Sequence, residues 1–243
     1  MSVYAGPADW WTDRTNIGRT HIATKGVVQT GLVLNLDSGV SSSYAGSGST
    51  WTDLSGNGNH GTLTFGPTYS SSNGGEIVFD GVNDYVSFNN LTTSSLGLTS
   101  SNGATLSCWL KITLLSRWTG VLVFSNLNTV DIGWDITPSN VLRIWKNSAQ
   151  FETSSLSSYS NIWCQYTLIS NSSGTIFYIN GNQFATTSTT GDVTFNSGRN
   201  LTFCDHWDNP VQGSGAILQI YNRALTAAQV SQNFNALRGR FNI

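Results

Sequence analysis

From Gly31 onward, short apolar or alternating runs recur between clusters of Gly, Asn, Asp and Ser, a pattern of many short strands rather than of helices. The runs are Leu32–Leu36, Gly61–Phe65, Glu76–Phe79, Tyr85–Phe88, Ala104–Ile112, Gly120–Phe124, Ile132–Ile136, Val141–Trp145, Ile162–Ser170, Thr175–Ile179, Asn182–Thr186, Leu201–Phe203 and Ala216–Tyr221. That is too many strands for a small barrel and suits two packed sheets. Asn180-Gly181 between two of the runs predicts a two-residue hairpin, because both residues tolerate positive φ. One segment departs from the pattern: Thr226 and Gln229 form a capping box, Val230, Phe234 and Leu237 share a face, and Gly239 is placed to end the helix. Residues 1–30 carry Trp10, Trp11, Arg14 and Arg19 without sustained alternation. They read as an N-terminal arm, docked on a neighbour or folded back on its own sandwich, with residues 31–243 forming the domain.

Composition narrows the choice of partner. Only 10% of the 243 residues are Asp, Glu, Lys or Arg, against about 25% in an average soluble protein. The surface must therefore be covered by neutral polar groups, and the chain holds 33 Ser, 28 Thr and 24 Asn. The net charge is −2, and no run of Lys or Arg exists to neutralise phosphates, so nucleic acid is excluded as an expected partner. No apolar stretch approaches a membrane span, and Met1 to Trp11 lacks the basic and apolar regions of a signal peptide, so no membrane association is expected. Cys108, Cys164 and Cys204 are an odd set for a disulfide framework and read as reduced core thiols.

The chemistry of most enzymes has no foothold in this sequence. Glycoside hydrolysis needs two carboxyl groups flanking the scissile bond, and the only glutamates, Glu76 and Glu152, fall in separate elements. His60 lies in a glycine-rich turn. His206, in Cys204-Asp205-His206-Trp207-Asp208, is the most suggestive polar cluster, but neighbours in sequence are not a triad in space. Zinc spacing and phosphate-binding loops are missing. Calcium is the one cofactor left open: Asp131 and Asp135 fall on the same side of an extended segment and Asp84 follows a glycine turn, although aspartates there also serve as turn caps. Among the nine tryptophans, Trp109, Trp145 and Trp163 lie in strand runs and read as core, while Trp118, Trp134 and Trp207, near predicted loops, are the candidates for stacking on sugars.

The segments Gly31–Asp37, Trp51–Gly61, Ile77–Val86, Thr105–Lys111, Phe177–Gly181 and Ile220–Leu225 occur in the order seen in laminin-G-like domains of the concanavalin A-like superfamily, which the chain resembles from about Gly31 to Arg240. The resemblance implies an all-β, two-sheet antiparallel jelly-roll sandwich with one short C-terminal helix. By its place two strands after the Trp109 strand, Asp131 resembles the aspartate of pentraxin-type calcium sites. The ends, Tyr4–Pro7 and Leu225–Arg240, resemble standalone laminin-G-like proteins of tailed bacteriophages of marine and cyanobacterial hosts. That likeness implies a non-enzymatic virion structural protein, whether capsid decoration, head fibre or tail component, assembled in the host cytoplasm. It would be joined to other virion proteins through the arm, with host surface glycans as a second partner. A bacterial carbohydrate-binding or adhesion module and a polysaccharide-active enzyme are the alternatives, since this sandwich hosts many functions.

Overall fold

The computed structural model describes residues 26–126, 129–187, 195, 199–205, 207 and 209–243. Its strands form two eight-stranded sheets in which every neighbouring pair is antiparallel. The first sheet contains β1 (Leu32–Asp37), β4 (Thr68–Ser70), β5 (Glu76–Asp80), β7 (Ala104–Ile112), β12 (Trp163–Asn171), β13 (Gly174–Ile179), β14 (Asn182–Thr187) and β16 (Gln212–Tyr221). The second contains β2 (Thr50–Trp51), β3 (Gly61–Thr64), β6 (Tyr85–Thr92), β8 (Thr119–Ser125), β9 (Val130–Ile136), β10 (Val141–Lys146), β11 (Ala149–Ser155) and β15 (Asn200–Phe203). The first runs β14-β13-β12-β7-β16-β5-β4, and β1 lies beside the second half of β16. The second runs β11-β10-β9-β8-β15-β6-β3-β2. Neighbours distant in sequence, such as β7 and β16, are the crossovers of a jelly roll.

Alternation along each strand decides what faces the other sheet. In β7, Leu106, Cys108 and Leu110 enter the core between the sheets, while Thr105, Ser107 and Trp109 face outward. Cys164, Tyr166 and Leu168 of β12, and Leu218 and Ile220 of β16, join the same core. All three cysteines are free and buried within it. Asn180 and Gly181 sit at φ 52° and 75°, so the hairpin forms as its sequence predicts.

The outer face of the first sheet is covered by α1 (Ala227–Leu237), whose capping box is formed by Thr226 and Gln229. Val27, Trp109, Trp163, Ile217, Leu237 and Phe241 make one apolar layer beneath it, and Val28 and Val230 belong to the adjoining one. Trp109 and Trp163 are thus buried as expected, but under the helix rather than between the sheets. Gly239 does not end the helix. The chain continues as a 3-10 turn over Arg238–Phe241 and is stopped by Asn242 at φ 58°, because Phe241 stacks on Trp109 at 4.3 Å and Arg240 reaches Asp37. Of the segment read as an arm, residues 26–30 are described, and Val27 and Val28 pack on the sandwich. Trp10, Trp11, Arg14 and Arg19 lie outside the described residues.

Candidate functional site

Among the described residues, no helix covers the outer face of the second sheet. Along β9, Ile132, Trp134 and Ile136 point into the core, which leaves Asp131, Gly133 and Asp135 facing out. Gly133 is required where it stands: a Cβ there would lie 2.4 Å from the carbonyl oxygen of Leu122 on β8. Outward on the adjacent β10 are Arg143 and Trp145, opposite Asp135 and Gly133 respectively. The loop after β15 folds back across this face and brings Trp207 edge-on to Trp145, with ring centroids 5.6 Å apart and planes at 89°.

Arg143 is the centre of the arrangement. Its Nε and Nη2 donate to the two oxygens of Asp135 at 2.8 and 2.6 Å, and its Nη1 donates to Gln150 at 3.0 Å. The guanidinium lies 4.0 Å from the Trp118 ring centroid and 4.6 Å from that of Trp145. Trp145 Nε1 also donates to Asp135, at 2.8 Å. Trp118 and Trp207 remain 39% and 43% exposed. With Thr119, Gly120, Asp135, Arg143 and Asn209 they line one cleft of about 190 Å³.

Trp207 holds a backbone conformation that bulky residues rarely adopt, φ 54°, a strain of order 1–2 kcal/mol. Its carbonyl accepts from Asn209 Nδ2 at 2.7 Å, the Asn209 amide donates to Asp205 at 2.8 Å, and the Asn209 carbonyl accepts from the Gly120 amide at 2.7 Å. These bonds tie the strained loop to the start of β8. A strained, half-exposed aromatic fixed from both sides suits a residue kept for contact with something outside the chain.

The structure therefore brings together Trp118 and Trp207, two of the three tryptophans singled out from the sequence. It does not bring in Trp134, which is fully buried and packs against Tyr166 and Phe177 at 5.1 Å each. The correction follows from the period of two, which aligns Trp134 with Ile132 and Ile136 on the inner face. The residues missed were Arg143 and Asn209. For Arg143 a signal existed: a lone arginine at an outward position of an otherwise apolar run, Val141–Trp145.

The aspartates read as metal candidates are placed apart. Asp131 on β9 is fully buried and accepts from Arg199 Nη1 at 2.5 Å and from Thr93 Oγ1 at 3.4 Å. Asp84 accepts from the amide of Asp80 at 3.0 Å, closing the β5–β6 turn, and burial pushes its carboxyl above the usual range. Among the described residues no three His, Cys, Asp or Glu side chains converge. His60 Nδ1 accepts from the Asp53 amide at 3.0 Å, a turn role. His206 and Asp208 lie outside the described residues. Burial raises the thiols of Cys108, Cys164 and Cys204, so none is poised as a nucleophile.

Two antiparallel sheets in jelly-roll order, one of them carrying an aromatic cleft on its outer face, define a lectin-like β-sandwich. The family model described as the concanavalin A-like lectin/glucanases superfamily, of laminin G type, matches residues 79–231, more than half of the chain, and the chain belongs to that superfamily. Among solved structures, a Trypanosoma rangeli sialidase bound to the inhibitor DANA matches 89% of this chain with a TM-score of 0.68 at 14% identity. This chain corresponds to only 36% of that enzyme. Domain 4 of a Geobacillus stearothermophilus extracellular arabinanase, in complex with arabinotriose, matches 83% of this chain and 97% of its own, with a TM-score of 0.62 at 20% identity. The receptor-binding domain of a botulinum neurotoxin C/D mosaic serotype matches 86% of this chain and 52% of its own, with a TM-score of 0.63 at 16% identity. At these identities the likeness is one of fold. A search of curated protein sequences found no match.

Proposed function

We propose that this chain is a non-enzymatic, glycan-contacting display module that meets sugars at the cleft between Trp118 and Trp207. The observation that carries the reading is the pairing of two exposed indoles, one held in a strained backbone, around the hydrogen-bonded guanidinium of Arg143. Sugars present an apolar C–H face to such rings and hydroxyls to the polar groups between them. Support for a binding rather than a hydrolytic role comes from the buried acids Asp135, Asp131 and Glu76, which are held in structural bonds. Asp135 is clasped by Arg143 and Trp145, Asp131 by Arg199, and Glu76 accepts from Asn73 and Ser214.

For its setting we propose the bacteriophage particle, on the strength of the resemblance at Tyr4–Pro7 and Leu225–Arg240. The module would there be a virion part, assembled in the host cytoplasm and anchored to other virion proteins by the residues that precede Gly26.

A glycan array followed by titration of tryptophan fluorescence tests the binding role. Trp118→Ala and Trp207→Ala are each expected to weaken binding about tenfold with the fold intact. Trp134→Ala, by contrast, should cost about 3–5 kcal/mol of stability and so reports on folding rather than on binding. An array without hits, or release of reducing ends from a bound polysaccharide, would overturn the reading.

A further inference from the structure

Resting on the glycan reading of the Trp118–Trp207 cleft, we infer that it takes neutral glycans and excludes acidic ones, sialic and uronic acids included. Among the described residues Arg143 is the one cationic side chain in the lining, and it is the group that an acidic sugar would need. Its Nε and Nη2 are both on Asp135, and its Nη1 is on Gln150. With its charge already compensated by Asp135 and three of its five N–H donors engaged, the guanidinium offers an incoming carboxylate no net positive charge, and drawing it away would leave the Asp135 carboxylate, itself 3% exposed, short of a partner.

The neighbouring charges point the same way. Glu152 on β11 stands opposite Arg143 in the β10–β11 register and is exposed. Asp205 holds the Asn209 amide at the other side of the cleft. Among the described residues three carboxylates thus stand at or beside the cleft against two guanidinium groups, those of Arg143 and of Arg117, whose Nη2 donates to the carbonyls of Gly81 and Pro210, and the net negative field repels anions. What remains to greet a ligand is uncharged: the Trp118 and Trp207 rings and the side chain of Asn209. The stacked guanidinium acts here as a stiffener that fixes the Trp118 and Trp145 planes rather than as an anion receptor.

The test uses the full chain on an array carrying neutral and acidic glycans. Paired titrations then compare each acidic glycan with its methyl ester, from about 20 mM to about 500 mM NaCl. The expected result is hits confined to neutral glycans, a gain of at least about tenfold on esterification, and a Kd that changes less than about twofold with salt. Acidic glycans bound as tightly as their esters, or binding that weakens steeply with salt, would overturn the exclusion while leaving the glycan reading standing. No hit of either charge, or hits indifferent to Trp207→Ala, would remove the glycan reading and this inference together. Glu152→Gln, on an exposed edge strand, is expected to narrow the gap between acid and ester, whereas Asp135→Asn should narrow it further. Should Asp135→Asn fail to fold, the titrations of the unaltered chain and of Glu152→Gln decide the matter.

Discussion

Aspartates that look alike in the sequence differ in what faces them. Asp131 and Asp135 are each met by an arginine, while Asp84 meets the backbone amide of Asp80 and the Asp80 carboxylate. Burial, the largest influence, raises the Asp84 carboxyl above its ordinary value of 3.8. With its folded pKa above the unfolded one, the folded chain binds more protons in the window between the two. The charged form therefore costs stability above that window, and the cost is relieved as the pH falls through the raised pKa. Asp84→Asn keeps an oxygen to accept from the Asp80 amide and removes the charge. Its Tm is expected to equal or exceed that of the parent at pH 7, with the advantage gone near pH 3, whereas Asp84→Ala lowers Tm at both. A loss at pH 7 as large as that of the alanine variant would mean that the charge itself is needed. The residue scale is also where sequence reading slipped: chemical type selected Trp134 and Trp207 alike, and only the side of β9 on which Trp134 falls separates core from surface.

Elements with a buried face declare themselves, and those without one do not. The run Ala104–Ile112 is β7 to the residue, and Thr226 with Gln229 marks the start of α1. The strands that went unseen are β2, two residues long, β4, three residues with none buried, and β11, an edge strand that is mostly exposed. None carries alternation, because a partner on one side alone and water on the other impose no pattern. Next to the end of α1 at Leu237, Gly239 does not take the positive φ expected of it, for another reason. Local chemistry favours a stop at Gly239, but distant contacts override it, since Arg240 donates to Asp37 and to the carbonyls of Asn73 and Gly75. The Asp37 side chain is 2% exposed, so removing its partner leaves a buried charge uncompensated. Arg240→Ala is expected to cost about 3 kcal/mol, measured as a lower urea midpoint at unchanged slope. A shift below about 0.5 kcal/mol would show instead that the pair behaves like a surface ion pair.

At the scale of the molecule the two outer faces have opposite fates. One is closed by α1, with Gly26 tied to Gln232 and Val27 and Val28 packed beside the helix. The other carries the aromatic cleft. The first described residues, from Gly26, thus lie on the side away from the site, which suits the proposed module held from behind and offering its front. The six ordered segments announced the sandwich, but the cleft could not be read in advance. Its parts come from the β7–β8 loop, from β9 and β10, and from the loop after β15, and only the folded sheet sets them side by side. Under the proposed function this arrangement separates anchoring from binding. Deleting residues 2–25, and stopping there because Val27 and Val28 are core, should leave glycan affinity within about twofold while abolishing incorporation into phage particles. Full incorporation of the truncated chain would remove the anchoring role from those residues. A fall in affinity of about tenfold or more would mean instead that the leading segment reaches round to the cleft and that front and back are not independent.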